Sequence, residues 1–322
     1  MLKWKKLGLI FNPWELESRP GWLHSFAQAP CTLLFKNTVR VYFSCRAQPD
    51  DSGQYVSYSA FVDLDRSDLT KIVNIADEPV LPLGELGTFD EFGTYPLSVI
   101  RTDDGILGYY AGWSRCESVP FNTAIGVGRS YNNGKTFEKL GPGPALPYSY
   151  DEPFVISGPK IRKFNSHYQL FYIAGRKWLV FDGKAEPTYK IRMATSSNGL
   201  DWTPAHRDLI PNVLGEHEAQ ASPDVFEYGG VFHMFFCYRQ PSDFRRNPDR
   251  SYRIGYARSA DLLNWHRDDD FAGMDVSVEG WDSEMQAYPH VFELDGEIYM
   301  LYLGNEVGKY GFGLAHLETG LA

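Results

Sequence analysis

Three glutamates and two arginines recur at matching places in this sequence, and their chemistry sets the first expectation. Glu91, Glu218 and Glu284 each stand five residues before a proline. Arg46 and Arg239 each stand sixteen residues after one, in Ser44-Cys45-Arg46 and Cys237-Tyr238-Arg239. Paired carboxylates suit glycosidic bond cleavage: one protonates the departing oxygen while the other activates water or attacks the sugar. Guanidinium forks suit a carboxylate or a phosphate on the substrate. Further acids of the same stretches are Asp90, Asp151, Glu152, Glu216 and Asp282, of which Asp90 and Asp282, together with His24, Trp113, Arg176 and Asn305, complete a candidate substrate-binding rim, and aromatic faces stack on sugar rings. Asp224 is the sole acid of its column, beside Cys31, Leu97, Lys160 and His290, and is the reserve catalytic carboxylate. The competing reading of the acids is that they are solvated loop residues, and that of the arginines is that each salt-bridges a neighbouring glutamate. His290 reads as a satisfied core histidine, with a structural cation in a central channel as the alternative.

These residues need a scaffold that brings distant columns together, and an internal repeat supplies it. The anchoring prolines are Pro30, Pro96, Pro159, Pro223 and Pro289, spaced 66, 63, 64 and 66 residues apart. Each unit reads as an apolar strand, a turn, a strand rich in Tyr and Phe, and a third strand such as Ala124–Arg129 or Ile254–Arg258. A short fourth strand follows turns such as Asn198-Gly199-Leu200-Asp201-Trp202 and Asp261-Leu262-Leu263-Asn264-Trp265. The pattern predicts an all-β, five-bladed β-propeller with four antiparallel strands per blade and a single domain over 1–322. The fifth unit ends before a fourth strand of its own, whereas Lys3-Trp4-Lys5-Lys6-Leu7 resembles Thr136-Phe137-Glu138-Lys139-Leu140. Residues 3–11 are therefore expected to close the ring as the outer strand of the last blade. Because adjacent antiparallel strands reverse direction, the start of each first strand and the end of each second strand open on one face, where the acid and arginine columns are expected to meet.

Composition narrows the partners. The chain has 322 residues, 43% of them hydrophobic, and 31 Lys plus Arg against 41 Asp plus Glu give a net charge of −10. That balance disfavours nucleic acid and anionic membrane surfaces. The four cysteines are dispersed without a C-x-x-C pair, so they read as reduced thiols. No histidine spacing matches a metal site, so no cofactor is required. The apolar run Leu7–Phe11 is too short for a signal-peptide core, so a cytoplasmic location is expected, with the oligomeric state open. Ser130-Tyr131-Asn132-Asn133-Gly134-Lys135-Thr136-Phe137 looks like a sialidase Asp-box with Asn in place of Asp, and reads as a structural turn.

The repeat pattern resembles the five-bladed propeller glycosidases of arabinanase and xylosidase, invertase and mannoside phosphorylase types. More narrowly, Ala221-Ser222-Pro223-Asp224-Val225-Phe226 and Gly280-Trp281-Asp282-Ser283-Glu284-Met285 resemble uncharacterised glycosidase-like proteins of polysaccharide gene clusters. The resemblance implies a glycoside hydrolase acting on an oligosaccharide or polysaccharide, with an anionic sugar as the unit the arginines would hold. Its alternatives are a phosphorylase or glycosyl transferase using Arg46, Arg239 and Arg176 for phosphate, and a non-catalytic glycan-binding propeller. The sequence departs from the family pattern where chemistry is concerned. Ala29 precedes Pro30 where the arabinanase type has its general base Asp, Ser157 occupies the general-acid position before Pro159, and the invertase N-D-P-N and R-D-P motifs are missing.

Overall fold

A computed structural model describes residues 1–320, and they are nearly all β. The strands form five antiparallel four-stranded meanders. The first runs through Ser25–Leu34, Thr38–Arg46, Ser57–Asp65 and Asp68–Ile75. The second comprises Gly93–Thr102, Gly105–Arg115, Phe121–Ser130 and the two-residue strand Glu138–Lys139. The third comprises Ser157–Phe164, His167–Phe181, Lys184–Ser196 and Thr203–Pro204. The fourth comprises Ala219–Tyr228, Val231–Arg239, Arg253–Ser259 and His266–Arg267. The fifth contains Ala287–Leu294, Glu297–Leu303 and Phe312–Thr319, and its outer strand is Lys3–Phe11.

The N-terminal segment thus pairs where the sequence places it, from Lys3 opposite Thr319 to Phe11 opposite Phe312. The only strand-to-strand pairing between meanders among the described residues is one parallel bridge between Ser57 and Gly93. Side-chain packing and side-chain hydrogen bonds do the rest. The first strand of each meander lies against the first strand of the next, and that of the fifth returns to the first.

Aromatic second strands provide much of this packing, because a ring spans the roughly 10 Å between facing sheets. Tyr42, Tyr109, Tyr110, Tyr172 and Tyr302 are all fully buried, and a buried phenol needs a hydrogen-bond partner. Tyr42 donates to the Gly134 carbonyl (2.7 Å) and Tyr109 to that of Gly199 (2.6 Å), each in the outer turn of the next meander. The Asp-box-like turn is therefore a docking point. Ser130 Oγ and Asn132 Oδ1 accept backbone N–H groups within it, and Gly134 and Gly199 take φ of 74° and 78°. A side chain at Gly134 would meet the Tyr42 hydroxyl, so glycine is needed for both conformation and approach.

All four cysteines are unpaired. Among the described residues, no helix is long and apolar enough to cross a membrane.

Candidate functional site

The prolines that mark the repeat also shape the site. Proline has no N–H to give to a ladder, so a strand containing it tends to bulge. All five first strands lose register there: between Gln28 and Cys31, Thr94 and Leu97, Ser157 and Lys160, Ala221 and Asp224, and Ala287 and His290. The residue before the proline takes a positive φ at Ala29 (50°), Gly158 (60°), Ser222 (52°) and Tyr288 (52°). For the three non-glycine residues this is a costly conformation, of the kind that concentrates at functional sites.

The bulges share one cavity of about 600 Å³, whose lining includes Ala29, Tyr95, Pro96, Gly158, Pro159, Ser222 and Tyr288. None of the five residues preceding the prolines is acidic. The residues following them, Cys31, Leu97, Lys160, Asp224 and His290, are all buried.

The cavity wall is cationic and aromatic, in contrast to the acidic chain as a whole. Arg46, Arg115, Lys160, Arg239, Arg245 and Lys309 line it, against only two carboxylates, Glu186 and Glu306. Both glutamates are engaged, Glu186 by Arg245 and Glu306 by Lys309 (2.7 Å), and Arg115 pairs with Asp50 (2.8 Å). Arg46 and Arg239 are different, since among the described residues neither has a carboxylate within salt-bridge distance. Arg46 lies over Phe26 (4.2 Å) and Tyr55 (5.0 Å), donates to Gln28 Oε1 (3.2 Å), and has a buried Nε with no acceptor. Arg239 is 1% exposed, stacks on Phe244 (3.7 Å) and donates only to neutral oxygens. Tyr95 and Trp113 stack nearly parallel at 4.8 Å, and Phe121 follows at 4.4 Å from Trp113. Such faces pack against the apolar side of a sugar.

Of the residues singled out in the sequence, Arg46, Arg239 and Trp113 reach this cavity. The acids do not gather there, because their loops turn back between the strands of their own meanders. Asp90 accepts from the Tyr110 hydroxyl (2.8 Å) and pairs with Lys139 (2.6 Å). Asp282 accepts from Tyr302 (3.1 Å) and pairs with Lys6 (2.7 Å). Glu152, which the sequence reading left in the background, does the same with Tyr172 (2.8 Å) and Arg192 (3.0 Å). Glu218 takes hydrogen bonds from Arg267 (2.7 Å), Gln220 (2.8 Å) and the N–H groups of Val213 (2.9 Å) and Leu214 (2.8 Å). Burial alone would raise its pKa, but these donors reverse the effect and hold it below the ordinary glutamate value.

Glu91 accepts the Gly87 N–H within its own loop (2.9 Å), and Glu284 is exposed with its N–H on Asn305 Oδ1 (2.8 Å). Arg176 pairs with Asp208, while His24 packs edge-on to Trp14 at 5.5 Å. Asp224 accepts from the Val291 N–H (2.7 Å), His290 Nδ1 (2.7 Å) and Arg162. His290 Nε2 in turn accepts the Thr32 N–H (2.9 Å), which leaves it satisfied. Among the described residues, no group of three or more His, Cys, Asp or Glu side chains is arranged to hold a metal ion.

Asp90, Glu152, Glu218 and Asp282 are thus staples rather than a cavity lining, and neither Glu91 nor Glu284 lines the cavity. A tyrosine twenty residues downstream in three of the units was the available signal. Sequence reasoning passed over the cavity's Tyr95, Tyr189, Tyr252 and Tyr288, of which Tyr95 and Tyr288 directly precede repeat prolines. The staple role predicts that Glu218→Gln, with shape kept, costs about 1–3 kcal/mol of stability. Chemical denaturation would measure it, and an unchanged midpoint would contradict the role.

No known protein-family profile matches the chain. Two Mycobacterium tuberculosis sequences, the uncharacterised proteins MT1551 and Rv1502, are each 35% identical to it over 319 residues, 99% of this chain and 100% of theirs. Among solved structures, one described as a glycoside hydrolase superposes with a TM-score of 0.76 at 15% identity, covering 99% of this chain and 93% of the other. A thermostable family-43 glycoside hydrolase gives 0.62 at 14% identity, covering 93% and 90%. A structure from a study of the GH130 family of mannoside phosphorylases, which reports hydrolases that target β-1,2 mannosidic linkages in Candida mannan, gives 0.69 at 15% identity, covering 98% and 93%. At these identities the similarity is one of fold.

Proposed function

Since the chain belongs to the family of the mycobacterial proteins MT1551 and Rv1502, and has the fold of the propeller glycosidases, we propose that it is a glycosidase-like enzyme that holds an anionic sugar in its central cavity. In this reading the five meanders are the blades of one propeller, and Lys3–Phe11 closes the fifth. The cyclic packing of the five first strands supports that count.

The observation that carries the functional reading is the pair of cavity guanidiniums, Arg46 and Arg239, with no carboxylate to neutralise them. Leaving a charge unpaired in a partly dry site is costly, and an anionic ligand is the natural way to offset it. Aromatic walls of Tyr95, Trp113 and Phe121 beside those charges favour a sugar that bears a carboxylate or phosphate over a small inorganic ion. The reading requires no cofactor.

Whether the sugar is hydrolysed is a separate matter. Two-carboxylate hydrolysis needs an acid and a base flanking the bond. The five positions before the prolines carry Ala29, Tyr95, Gly158, Ser222 and Tyr288 instead, which favours a second reading in which phosphate replaces activated water as the attacking group. Incubation with uronic-acid-containing and neutral oligosaccharides, with and without inorganic phosphate, separates these readings. Free sugar released without phosphate supports hydrolysis, and a sugar phosphate formed only with it supports phosphorolysis. Affinity for anionic glycans without turnover across a broad panel points to a binding propeller. No preference for anionic over neutral glycans contradicts the anionic-sugar reading itself.

A further inference from the structure

The hydrogen bonds behind the cavity wall show which atoms meet the ligand. Arg239 has five N–H bonds, and all of them are used by the protein. Nε donates to the Tyr252 hydroxyl (3.0 Å), Nη1 to the carbonyls of Gln240 (2.9 Å) and Pro241 (3.4 Å), and Nη2 to the Pro187 carbonyl (3.1 Å) and the Tyr189 hydroxyl (3.3 Å). The two phenols are also joined to each other at 2.7 Å. Each phenol oxygen therefore accepts from Arg239, and only one of the two hydroxyl protons is consumed between them. The other proton has no acceptor among the described residues. Both tyrosines line the cavity, and they are 7% and 3% exposed. Tyr288 lies beside them, its ring 6.1 Å from that of Tyr252, and Tyr95 stands near Arg46, whose Nη2 is 3.5 Å from its hydroxyl.

We propose that these tyrosines, bracketed by Arg46 and Arg239, form an oxyanion pocket at the deep end of the cavity that grips the charged group of a sugar through phenol O–H donors. Arg239 is a positioning residue here. It fixes the tyrosine pair from behind and supplies positive charge without touching the ligand. Of the other cations, Lys160 is buried and held by Asp224 (3.9 Å) and the Pro30 carbonyl, while Arg245, Lys309 and Arg115 lie towards the rim, their side chains being 59%, 35% and 28% exposed and already paired. The anionic group therefore enters first, and the sugar that bears it is the terminal unit of its chain. This inference rests on the anionic-sugar reading and adds to it where the charge sits and which unit carries it.

Calorimetric titration of the full-length protein with galacturonate, glucose 6-phosphate and glucose tests the pocket and distinguishes a carboxylate from a phosphate as the preferred anion. Trisaccharides bearing galacturonate at the non-reducing end or in the middle test the orientation. Tyr189→Phe and Tyr252→Phe are each expected to weaken binding of the preferred anionic sugar about ten-fold and to leave glucose unaffected. Arg239→Lys keeps the charge but loses the fork that spans both phenols. It is expected to cause a similar loss and to abolish the change in tyrosine absorbance expected when the unaltered protein binds the sugar. Unchanged affinity in both Phe variants, or equal binding of terminal and internal galacturonate, would overturn the pocket. If the unaltered protein does not distinguish anionic sugars from glucose, the anionic-sugar reading falls as well. If it does distinguish them but the Phe variants match it, only the pocket falls.

Discussion

Replacing Asp224 by alanine is expected to lower the free energy of unfolding by about 3–5 kcal/mol, the cost of stranding the partners of a buried charge. Its carboxylate is wholly buried and ties three meanders together, receiving Arg162 from the third and both the Val291 N–H and His290 from the fifth. Lys160 lies 3.9 Å away and also donates to the Pro30 carbonyl of the first (3.1 Å). Removing the carboxylate leaves the buried Lys160 and the half-buried Arg162 without their counter-charge. Urea denaturation measures the loss, and a change below about 1 kcal/mol would mean that the cluster is not a structural hub.

The same cluster sets the acid limit of the fold. Burial holds the His290 imidazole down to about 4, only partly opposed by the Asp224 charge. In the unfolded chain a histidine takes up its proton near pH 6.5. Between about pH 6.5 and 4 the unfolded state binds more protons than the folded one, so stability falls as the pH drops through that window. Asp224 adds a second phase. Burial would raise its pKa, but Arg162, His290 and Lys160 hold it well below the usual carboxylate range. Its contribution is complete above the unfolded value of about 4 and is lost as the pH falls below that. The His290 phase amounts to up to about 3 kcal/mol. Urea midpoints at about pH 7 and about pH 4.5 are expected to differ in the unaltered protein and to differ less in His290→Gln, where His233, also held down by burial, still contributes. Midpoints that do not move with pH would contradict the protonation scheme.

The fold was legible because proline, aromatic strands and turn glycines are local signals that recur at a fixed spacing. The bulges at Pro30, Pro96, Pro159, Pro223 and Pro289 and the pairing of Lys3–Phe11 with Phe312–Thr319 follow from that regularity. The direction in which a loop side chain turns is not a local signal. A column of acids before the first strands has the same sequence appearance whether it faces the axis or reaches back into its own meander. Asp90, Glu152 and Asp282 reach back because a buried tyrosine hydroxyl and a cation from the same meander await each of them. Arg46 and Arg239 line the cavity because they end buried second strands, where alternation of side chains fixes which way they point. The departure at Ala29 from the arabinanase pattern was also informative, since that position does border the cavity and carries no acid there.

Arg46→Met separates a site from a scaffold by the signs of two effects. The guanidinium lies between Phe26 and Tyr55 with its Nε unsatisfied, so its charge contributes no ion pair to the fold. Methionine keeps an apolar stem against both rings and removes an uncompensated charge, and the folded state is expected to be unchanged or slightly more stable. An anionic sugar, by contrast, loses a charge-assisted hydrogen bond worth about 1.5–3 kcal/mol, so its affinity is expected to fall about ten- to hundred-fold while neutral sugars bind as before. Thermal melting and calorimetric titration on the same preparation read both quantities. Scaffold residues such as Glu218 and Asp224 are expected to do the opposite, since their donors and counter-charges lie within the protein. If Arg46→Met destabilised the fold by more than about 2 kcal/mol with sugar affinity intact, the arginine would belong with those staples. The pocket would then keep only Arg239, whose N–H groups are all engaged by the protein.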